Sequence, residues 1–272
     1  MQPALIAALF LCVPPYRAQA PAPAAPEPAA DEAPAFARQT KIMPDGVTMT
    51  ADWYSAEKAR AGKPAEVVIV ACHMARASRG EYRSIAPRFT ALGWDVLAID
   101  QRSGEKFGDV LNETSKSATT ALGGTQGFQA SYPDLDFAVK WAKELAPKAK
   151  VVLAGSSYSA SLAIRYAARV DGQADLVLAF SPSECLNDWT VAKDAKDARI
   201  PVFVTCGGGA REREKAQPIA DALPEAVRHT WWPAESSKAK HGAQALIADE
   251  AAARDALWKK IAELAAGLVA KK

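Results

Sequence analysis

Long membrane-spanning runs and clusters of basic residues are both missing from this 272-residue chain. The apolar stretch at residues 5–13 is too short to cross a bilayer. The net charge is only +2, and the basic run around Lys238 and Lys240 is short. Because phosphate binding needs clustered Lys and Arg, we expect no nucleic-acid partner. We also expect no membrane span once a leader is removed.

The first twenty residues are typical of an export signal. The apolar stretch at 5–13 is followed by Ala18, Gln19 and Ala20, a small-x-small cleavage site. We therefore predict a signal peptide at residues 1–20 and export to the periplasm or the medium. Anchoring through Cys12 as a lipoprotein is disfavoured, because Leu11 is larger than the residue that such sites require.

Two further segments follow the predicted signal peptide. Residues 21–35 are almost entirely Ala, Pro, Glu and Asp, a composition that cannot bury a core and favours a disordered linker. Residues 36–272 contain no second linker and no internal repeat. They are long enough for one substantial core, so we predict a single domain there.

Cysteine is scarce, and three residues remain after signal cleavage: Cys72, Cys185 and Cys206. An exported protein can oxidise a pair of them, but an odd count leaves at least one free thiol. The simplest interpretation is small buried apolar side chains. The sequence leaves a disulfide open.

Short apolar runs alternate with helical patterns along the predicted domain, which indicates a parallel sheet covered by helices on both faces. The predicted strands are 67–72, 94–100, 151–154, 176–180, 201–205 and 228–232, and the predicted helices are 81–92, 132–145, 159–170, 213–223 and 241–268. Residues 48–54 alternate in polarity and predict an antiparallel edge strand. Only about twenty residues separate the strands at 176–180 and 201–205, which leaves no room for a lid domain.

Ser157 is the candidate nucleophile. The segment from Gly155 to Ser159 has the form Gly-x-Ser-x-small and follows an apolar strand directly. Such a sharp turn between a strand and a helix exposes the serine hydroxyl, and it needs small residues two positions before and after. Without the preceding strand, the pattern would indicate no more than a Ser-rich loop.

A serine hydroxyl needs a base, and the chain has only three histidines. His229 lies within a predicted strand, and His73 precedes the nucleophile in the chain. His241 follows the last predicted strand, where the order nucleophile, acid, base puts the base. We predict that His241 is the general base and that His73 orders its own loop.

Two backbone N–H groups are needed to bind the oxyanion of an acyl-transfer intermediate. We predict the N–H of Tyr158, the residue after the nucleophile, and the N–H of Met74, in the loop after the strand at 67–72.

The acid of a triad is harder to assign, because no Asp stands at the expected distance after the strand at 201–205. Glu212 is the first carboxylate after that strand. Glu184 follows the preceding strand, with Asp188 further on. Both glutamates remain open, with Glu184 slightly preferred because it lies closer to its strand.

These features resemble the α/β-hydrolase superfamily, and within it the dienelactone-hydrolase-like and esterase group. The resemblance covers about residues 45–270 and depends on His73-Met74, on Asp100 to Gly104, on Gly155 to Ser159 and on His241-Gly242. It implies the α/β-hydrolase fold, with a mostly parallel sheet of about eight strands, and hydrolysis of ester, lactone or acyl bonds without a cofactor or a metal. The chain departs from dienelactone hydrolases in having serine at the nucleophile position.

We therefore predict a carboxylesterase-like serine hydrolase that acts on a small-molecule ester. The alternatives are a non-catalytic binding protein on a hydrolase scaffold and a peptidase of the same fold. The connection at residues 103–131 is rich in Gly, Ser and Thr, and either shapes the binding site or forms a mobile surface loop.

Overall fold

The computed structural model describes residues 35–169 and 174–270. The predicted signal peptide, Cys12 and nearly all of the predicted linker lie outside the described residues.

The secondary structure follows the predicted alternation of strands and helices. The strands are β1 (Ala37–Ile42), β2 (Thr48–Tyr54), β3 (Val67–Cys72), β4 (Asp95–Ile99), β5 (Lys106–Phe107), β6 (Val110–Leu111), β7 (Lys150–Ser156), β8 (Leu176–Phe180), β9 (Val202–Thr205) and β10 (Arg228–Thr230). The α-helices are α1 (Ala86–Ala91), α2 (Glu113–Leu122), α3 (Tyr132–Leu145), α4 (Tyr158–Arg169), α5 (Val191–Ala195), α6 (Ala210–Ala222) and α7 (Ala251–Ala270), and 3₁₀ helices cover Arg79–Tyr82, Phe128–Ser131 and Gly242–Ile247.

Eight strands form one sheet in the order β1-β2-β4-β3-β7-β8-β9-β10. β2 runs antiparallel to β1 and β4, and the other neighbouring strands are parallel. The prediction of a mostly parallel sheet is confirmed. β2 is antiparallel as predicted but does not form the edge, because the short polar strand β1, which has no apolar run, pairs outside it.

Successive residues of the central strands pack on opposite faces of the sheet. In β3, Val68 and Val70 belong to the core beneath α3 and α4, whereas Val67 and Ile69 belong to the core beneath α1 and α7. Because both faces are buried, the central strands β3 and β8 are apolar at every position rather than alternating.

Two predicted helices are shorter in the structure. The predicted helix at 81–92 is a 3₁₀ turn followed by α1, with Pro87 in the first turn of α1, where a missing N–H is tolerated. The predicted helix at 241–268 is a 3₁₀ helix at Gly242–Ile247 followed by α7 from Ala251, because Ala248 has an extended backbone (ψ 147°) that separates the two.

No lid domain covers the site in the described part of the chain, since the connection between β8 and β9 contains only the five-residue helix α5. The segment 103–131 is largely ordered as the β5–β6 hairpin, α2 and a 3₁₀ turn. Among the described helices, none has the length and apolarity that crossing a membrane requires.

Candidate active site

Ser157 lies in the sharp turn between β7 and α4. Its φ is 57°, in the left-handed region that costs a non-glycine residue about 1–2 kcal/mol. The Ser157 N–H donates to Phe180 O at 2.8 Å, which ties the turn to the end of β8. A strained serine at this point of the sheet is the geometry of a nucleophile elbow.

Gly155 and Ser159, the small residues two positions before and after Ser157, have different structural roles. A Cβ added to Gly155 would lie 2.4 Å from Ser159 O, so the turn closes only with glycine there. The Ser159 hydroxyl lies 2.5 Å from His73 O and 2.8 Å from the Gln101 side-chain oxygen. Ser159 therefore holds the loop after β3 against the start of α4.

His241 precedes the 3₁₀ helix Gly242–Ile247, and its Nδ1 lies 2.7 Å from a Glu212 carboxylate oxygen. Glu212 is in the first turn of α6, after β9. This hydrogen bond raises the pKa of His241 above its ordinary value, against the opposing effect of partial burial.

The second Glu212 oxygen is held from the other side. It accepts the Ser181 hydroxyl at 2.7 Å and the Gly207 N–H at 2.9 Å. Burial alone would raise the pKa of the Glu212 carboxyl, but the hydrogen bonds from His241, Ser181 and Gly207 outweigh it, and its pKa lies below the usual value. The carboxylate form is therefore favoured.

The preference for Glu184 as the acid partner of His241 is wrong. Its carboxylate accepts the N–H groups of Val191 and Ala192, at 2.6 and 2.8 Å, at the start of α5. The His241 ring is engaged by Glu212 instead, and Asp188 is exposed. Closeness to a preceding strand favours Glu184, but that spacing does not show that Gly207 and Gly208, after β9, pack within 2.5 Å (measured from an added Cβ) of the loop that carries His241.

The loop that carries His241 packs directly on the elbow. A Cβ on Gly242 would lie 2.2 Å from Ser156 Oγ and 3.7 Å from Ser157 N. The Gly242 N–H donates to Ser181 Oγ at 3.0 Å, and the Ala243 N–H donates to Ser156 Oγ at 2.9 Å. The loop that carries His241 is thus held against the elbow by the two residues that follow His241 in the chain.

The predicted oxyanion donors differ in their availability. Tyr158 is the first residue of α4, so its N–H has no acceptor within the helix. The Met74 N–H, however, donates to Glu81 Oε2 at 2.7 Å and is already used. The assignment to Met74 therefore needs correction. The next N–H, that of partly buried Ala75, has no acceptor among the described residues.

His73 is fully buried and its pKa is lowered by burial to about 4, so the ring is neutral. Its Nε2 accepts the Gln101 N–H at 3.1 Å, which leaves the proton on Nδ1 to bond Met74 O at 2.8 Å. His73 therefore braces its own loop, as expected from its position in the chain.

Two residues of the site were not predicted from the sequence. Ser181, at the end of β8, is buried with a left-handed φ of 55°, and its hydroxyl joins Glu212 to Gly242. Glu81 is fully buried and accepts both the Met74 N–H and the Ser156 hydroxyl, each at 2.7 Å. Neither residue belongs to a sequence motif, so only its contacts in the folded protein identify it.

The segment 103–131 reaches the site through Phe128, whose ring stacks on Tyr158 with centroids 4.5 Å apart. The Tyr158 hydroxyl in turn donates to Ser103 O at 2.9 Å.

Cys72 and Cys206 are buried, Cys185 is half-buried, and all three are free thiols. Within residues 35–169 and 174–270, no group of three or more His, Cys, Asp or Glu side chains is arranged to hold a metal ion.

Neither a known family model nor a curated protein sequence matches this chain. Solved structures do. A thermostable carboxyl esterase from Bacillus coagulans is 13% identical, with a TM-score of 0.63 over 86% of this chain and 99% of its own. A dienelactone hydrolase from Anabaena variabilis is 15% identical, with a TM-score of 0.61 over 85% of this chain and 97% of its own. Dipeptidyl peptidase 4 from Porphyromonas gingivalis is 10% identical, with a TM-score of 0.60 over 86% of this chain but 35% of its own.

These likenesses concern the fold. The chain has the α/β-hydrolase fold, the fold of esterases, of dienelactone hydrolase and of one domain-sized part of a dipeptidyl peptidase.

Proposed function

We propose that this protein is an exported serine hydrolase that cleaves a carboxylic ester bond of a small molecule through an acyl-enzyme on Ser157. One observation carries the proposal. Ser157 stands in a strained left-handed turn, Gly242 packs on that turn, and the preceding residue, His241, is hydrogen-bonded to Glu212. A nucleophile, a base and an orienting carboxylate in this order are the components of serine-dependent acyl transfer.

In the proposed mechanism, neutral His241 accepts the Ser157 hydroxyl proton at Nε2 while its Nδ1–H remains bonded to Glu212. The Ser157 oxygen forms a bond to the ester carbonyl carbon, and the alcohol then leaves with the proton returned by His241. A water molecule, deprotonated by His241, then bonds to the acyl carbonyl carbon. The bond from that carbon to the Ser157 oxygen breaks, His241 returns the proton to Ser157, and the carboxylic acid is released.

The oxyanion is assigned to the N–H groups of Tyr158 and Ala75. The Ala75 N–H replaces the predicted Met74 N–H because the latter is occupied by Glu81. The β3–β7 register pairs Cys72 with Gly155, which brings the loop after β3 level with the elbow. Each such donor contributes about 3–4 kcal/mol of transition-state stabilisation in enzymes of this chemistry.

The two rival functions differ in their support. An unassigned acid leaves room for a non-catalytic binding protein, and the Glu212–His241 hydrogen bond counts against that alternative by supplying a candidate acid. A peptidase would use the same residues, and a dipeptidyl peptidase shares the fold. That protein matches through only about a third of its chain, so most of its length has no counterpart here.

The test is covalent labelling with a fluorophosphonate probe together with hydrolysis of p-nitrophenyl acetate and of an aminoacyl p-nitroanilide. We expect labelling and ester hydrolysis by the chain from residue 21, and loss of both in Ser157→Ala. Ser236→Ala is the matched control, because Ser236 is exposed in the loop before His241. Labelling that survives Ser157→Ala would refute the proposal, and a preference for the anilide would favour the peptidase.

A further inference from the structure

A continuous hydrogen-bonded path crosses the interior of the site behind Ser157. The Met74 N–H donates to Glu81 Oε2, the Ser156 hydroxyl donates to Glu81 Oε1, and the Ala243 N–H donates to Ser156 Oγ. The three distances are 2.7, 2.7 and 2.9 Å. Glu81 itself has no accessible surface.

Each end of this path adjoins a group of the proposed machinery. Met74 directly precedes Ala75, the assigned oxyanion donor. Ser156 directly precedes Ser157, and Ala243 lies two residues after His241. The path therefore joins the oxyanion loop, the elbow and the base loop through one buried side chain.

We propose that Glu81 is a positioning residue that holds the oxyanion loop and the base loop in register with Ser157, and that it does so only as a carboxylate. This inference depends on the proposed function. Glu81 does not touch the reacting atoms, and it acts through Met74 and Ser156.

The requirement for a carboxylate follows from the directions of the hydrogen bonds. Both Glu81 oxygens already accept a hydrogen, from Met74 and from Ser156. Ser156 Oγ accepts from Ala243, and Glu81 Oε1 is the acceptor that the described residues offer to its own hydrogen. A proton on Glu81 Oε2 would face the Met74 N–H, and a proton on Oε1 would leave the buried Ser156 hydrogen without an acceptor.

The pKa values of Glu81 and of the proposed base His241 are both raised. Burial raises the pKa of its carboxyl to about 7, while the hydrogen bonds from Ser156 and Met74 and the charge of His241 oppose the shift. His241 also has a raised pKa, for which Glu81 is one of the causes. Protonation at low pH therefore removes both the base and the positioning carboxylate.

The other ionisable groups near Glu81 remain in one state. Burial raises the pKa of the Cys72 thiol and of the Tyr82 hydroxyl, so both stay neutral. The neighbouring cations are engaged elsewhere, Arg79 with Asp52 and Asp100, and Arg83 with Asp109. Across neutral pH, the described groups at or beside this path that change charge are Glu81, which is part of it, and His241, which acts on Glu81 through its charge.

The pH dependence of kcat/KM for p-nitrophenyl acetate tests this inference. For the unaltered protein, we expect the slope of log kcat/KM against pH to exceed one below about pH 6, because two protonations each inactivate. In Glu81→Gln we expect a slope of one. The acidic limb of the pH profile should also move to lower pH, because the pKa of His241 falls when a neighbouring negative charge is removed. At pH 8.5 we expect kcat to fall about 10- to 100-fold, as for a misplacement on the order of 1 Å, with KM changed less than about threefold.

A second variant interrupts the path at another residue, and a third is a surface control. Ser156→Ala interrupts the path but leaves Glu81, so it should lower kcat as Glu81→Gln does, and the double variant should lose little more. Glu144→Gln is the matched control, because Glu144 is exposed and paired with Lys41 at the surface. If Glu81→Gln does not fold, the slope of the unaltered protein and the kcat of Ser156→Ala decide.

The outcomes separate this inference from the proposed function. Absence of Ser157-dependent hydrolysis in the unaltered protein would contradict the function itself. An active protein with a slope of one that is unchanged in Glu81→Gln would overturn the role of Glu81 and leave the function standing. A uniform loss of rate in Glu81→Gln with an unchanged slope would indicate a structural role alone and also overturns the inference.

Discussion

Replacing Glu212 by glutamine tests the acid assignment, because the two residues have the same shape. The Glu212 carboxylate accepts from three donors, His241 Nδ1 at 2.7 Å, the Ser181 hydroxyl at 2.7 Å and the Gly207 N–H at 2.9 Å. A glutamine offers one acceptor oxygen and one NH₂ group in their place. The NH₂ group of the glutamine must therefore face one of these three hydrogen-bond donors.

The surroundings decide which side that is. Ser181 Oγ accepts from both Gly207 and Gly242, so its own hydrogen is directed at residue 212. Two donors thus require the amide oxygen, and the NH₂ group turns toward His241. The ring then takes the tautomer with Nδ1 as acceptor and Nε2 protonated, which cannot accept the Ser157 proton.

In triads, an acid-to-amide change that produces the wrong tautomer lowers kcat by about 10⁴-fold, equivalent to about 5 kcal/mol. His241 is 47% exposed, so water can partly rescue the correct tautomer, and we expect a fall in kcat of about 10³- to 10⁴-fold at pH 7.5. The assay is burst and steady-state hydrolysis of p-nitrophenyl acetate.

Glu184→Gln is the matched control for that experiment. Its carboxylate accepts from Val191 and Ala192 at the start of α5, so the change should cost about 0.5–2 kcal/mol of stability and leave kcat within about twofold. The assignment of the acid would be refuted if Glu212→Gln kept its kcat within about tenfold, or if Glu184→Gln were the inactive variant.

Three further outcomes follow from the site. Gly155→Ala should destabilise by about 2–3 kcal/mol in chemical denaturation, since its Cβ would lie 2.4 Å from Ser159 O, whereas Gly127→Ala, with open space around it, should change stability by less than about 0.5 kcal/mol. Ser157→Gly and Ser157→Ala should both be inactive, but the glycine variant should be the more stable by about 1 kcal/mol because φ is 57°, and equal stabilities would contradict a strained turn. Activity should rise with pH as His241 loses its proton, because the base must be neutral, and the midpoint of this rise should lie above the ordinary histidine pKa. In Glu212→Gln the midpoint should move down toward the ordinary histidine value. A pH profile that is the same in both proteins would exclude His241 as the base.

The local features of the site could be predicted from the sequence. The apolar strand before Gly155, the small residues after Ser157 and the place of His241 in the chain are patterns within a few residues of one another. Backbone sterics act over that range, so they predict the sheet, the elbow and the order of the site residues. The roles of Ser157 and His241 in catalysis remain predictions that the labelling and pH experiments test.

The pairing of His241 with Glu212, the engagement of the Met74 N–H and the buried position of Glu81 are visible only in the tertiary structure. Glu184 and Glu212 each follow a strand, and only Glu212 lies within hydrogen-bond distance of His241, where Gly207 and Gly208 pack against the loop that carries it. The Met74 N–H is lost to Glu81, which lies seven residues further along the chain. Hydrogen bonding depends on distances of about 3 Å between groups that are remote in sequence, and the packing of the loops sets those distances.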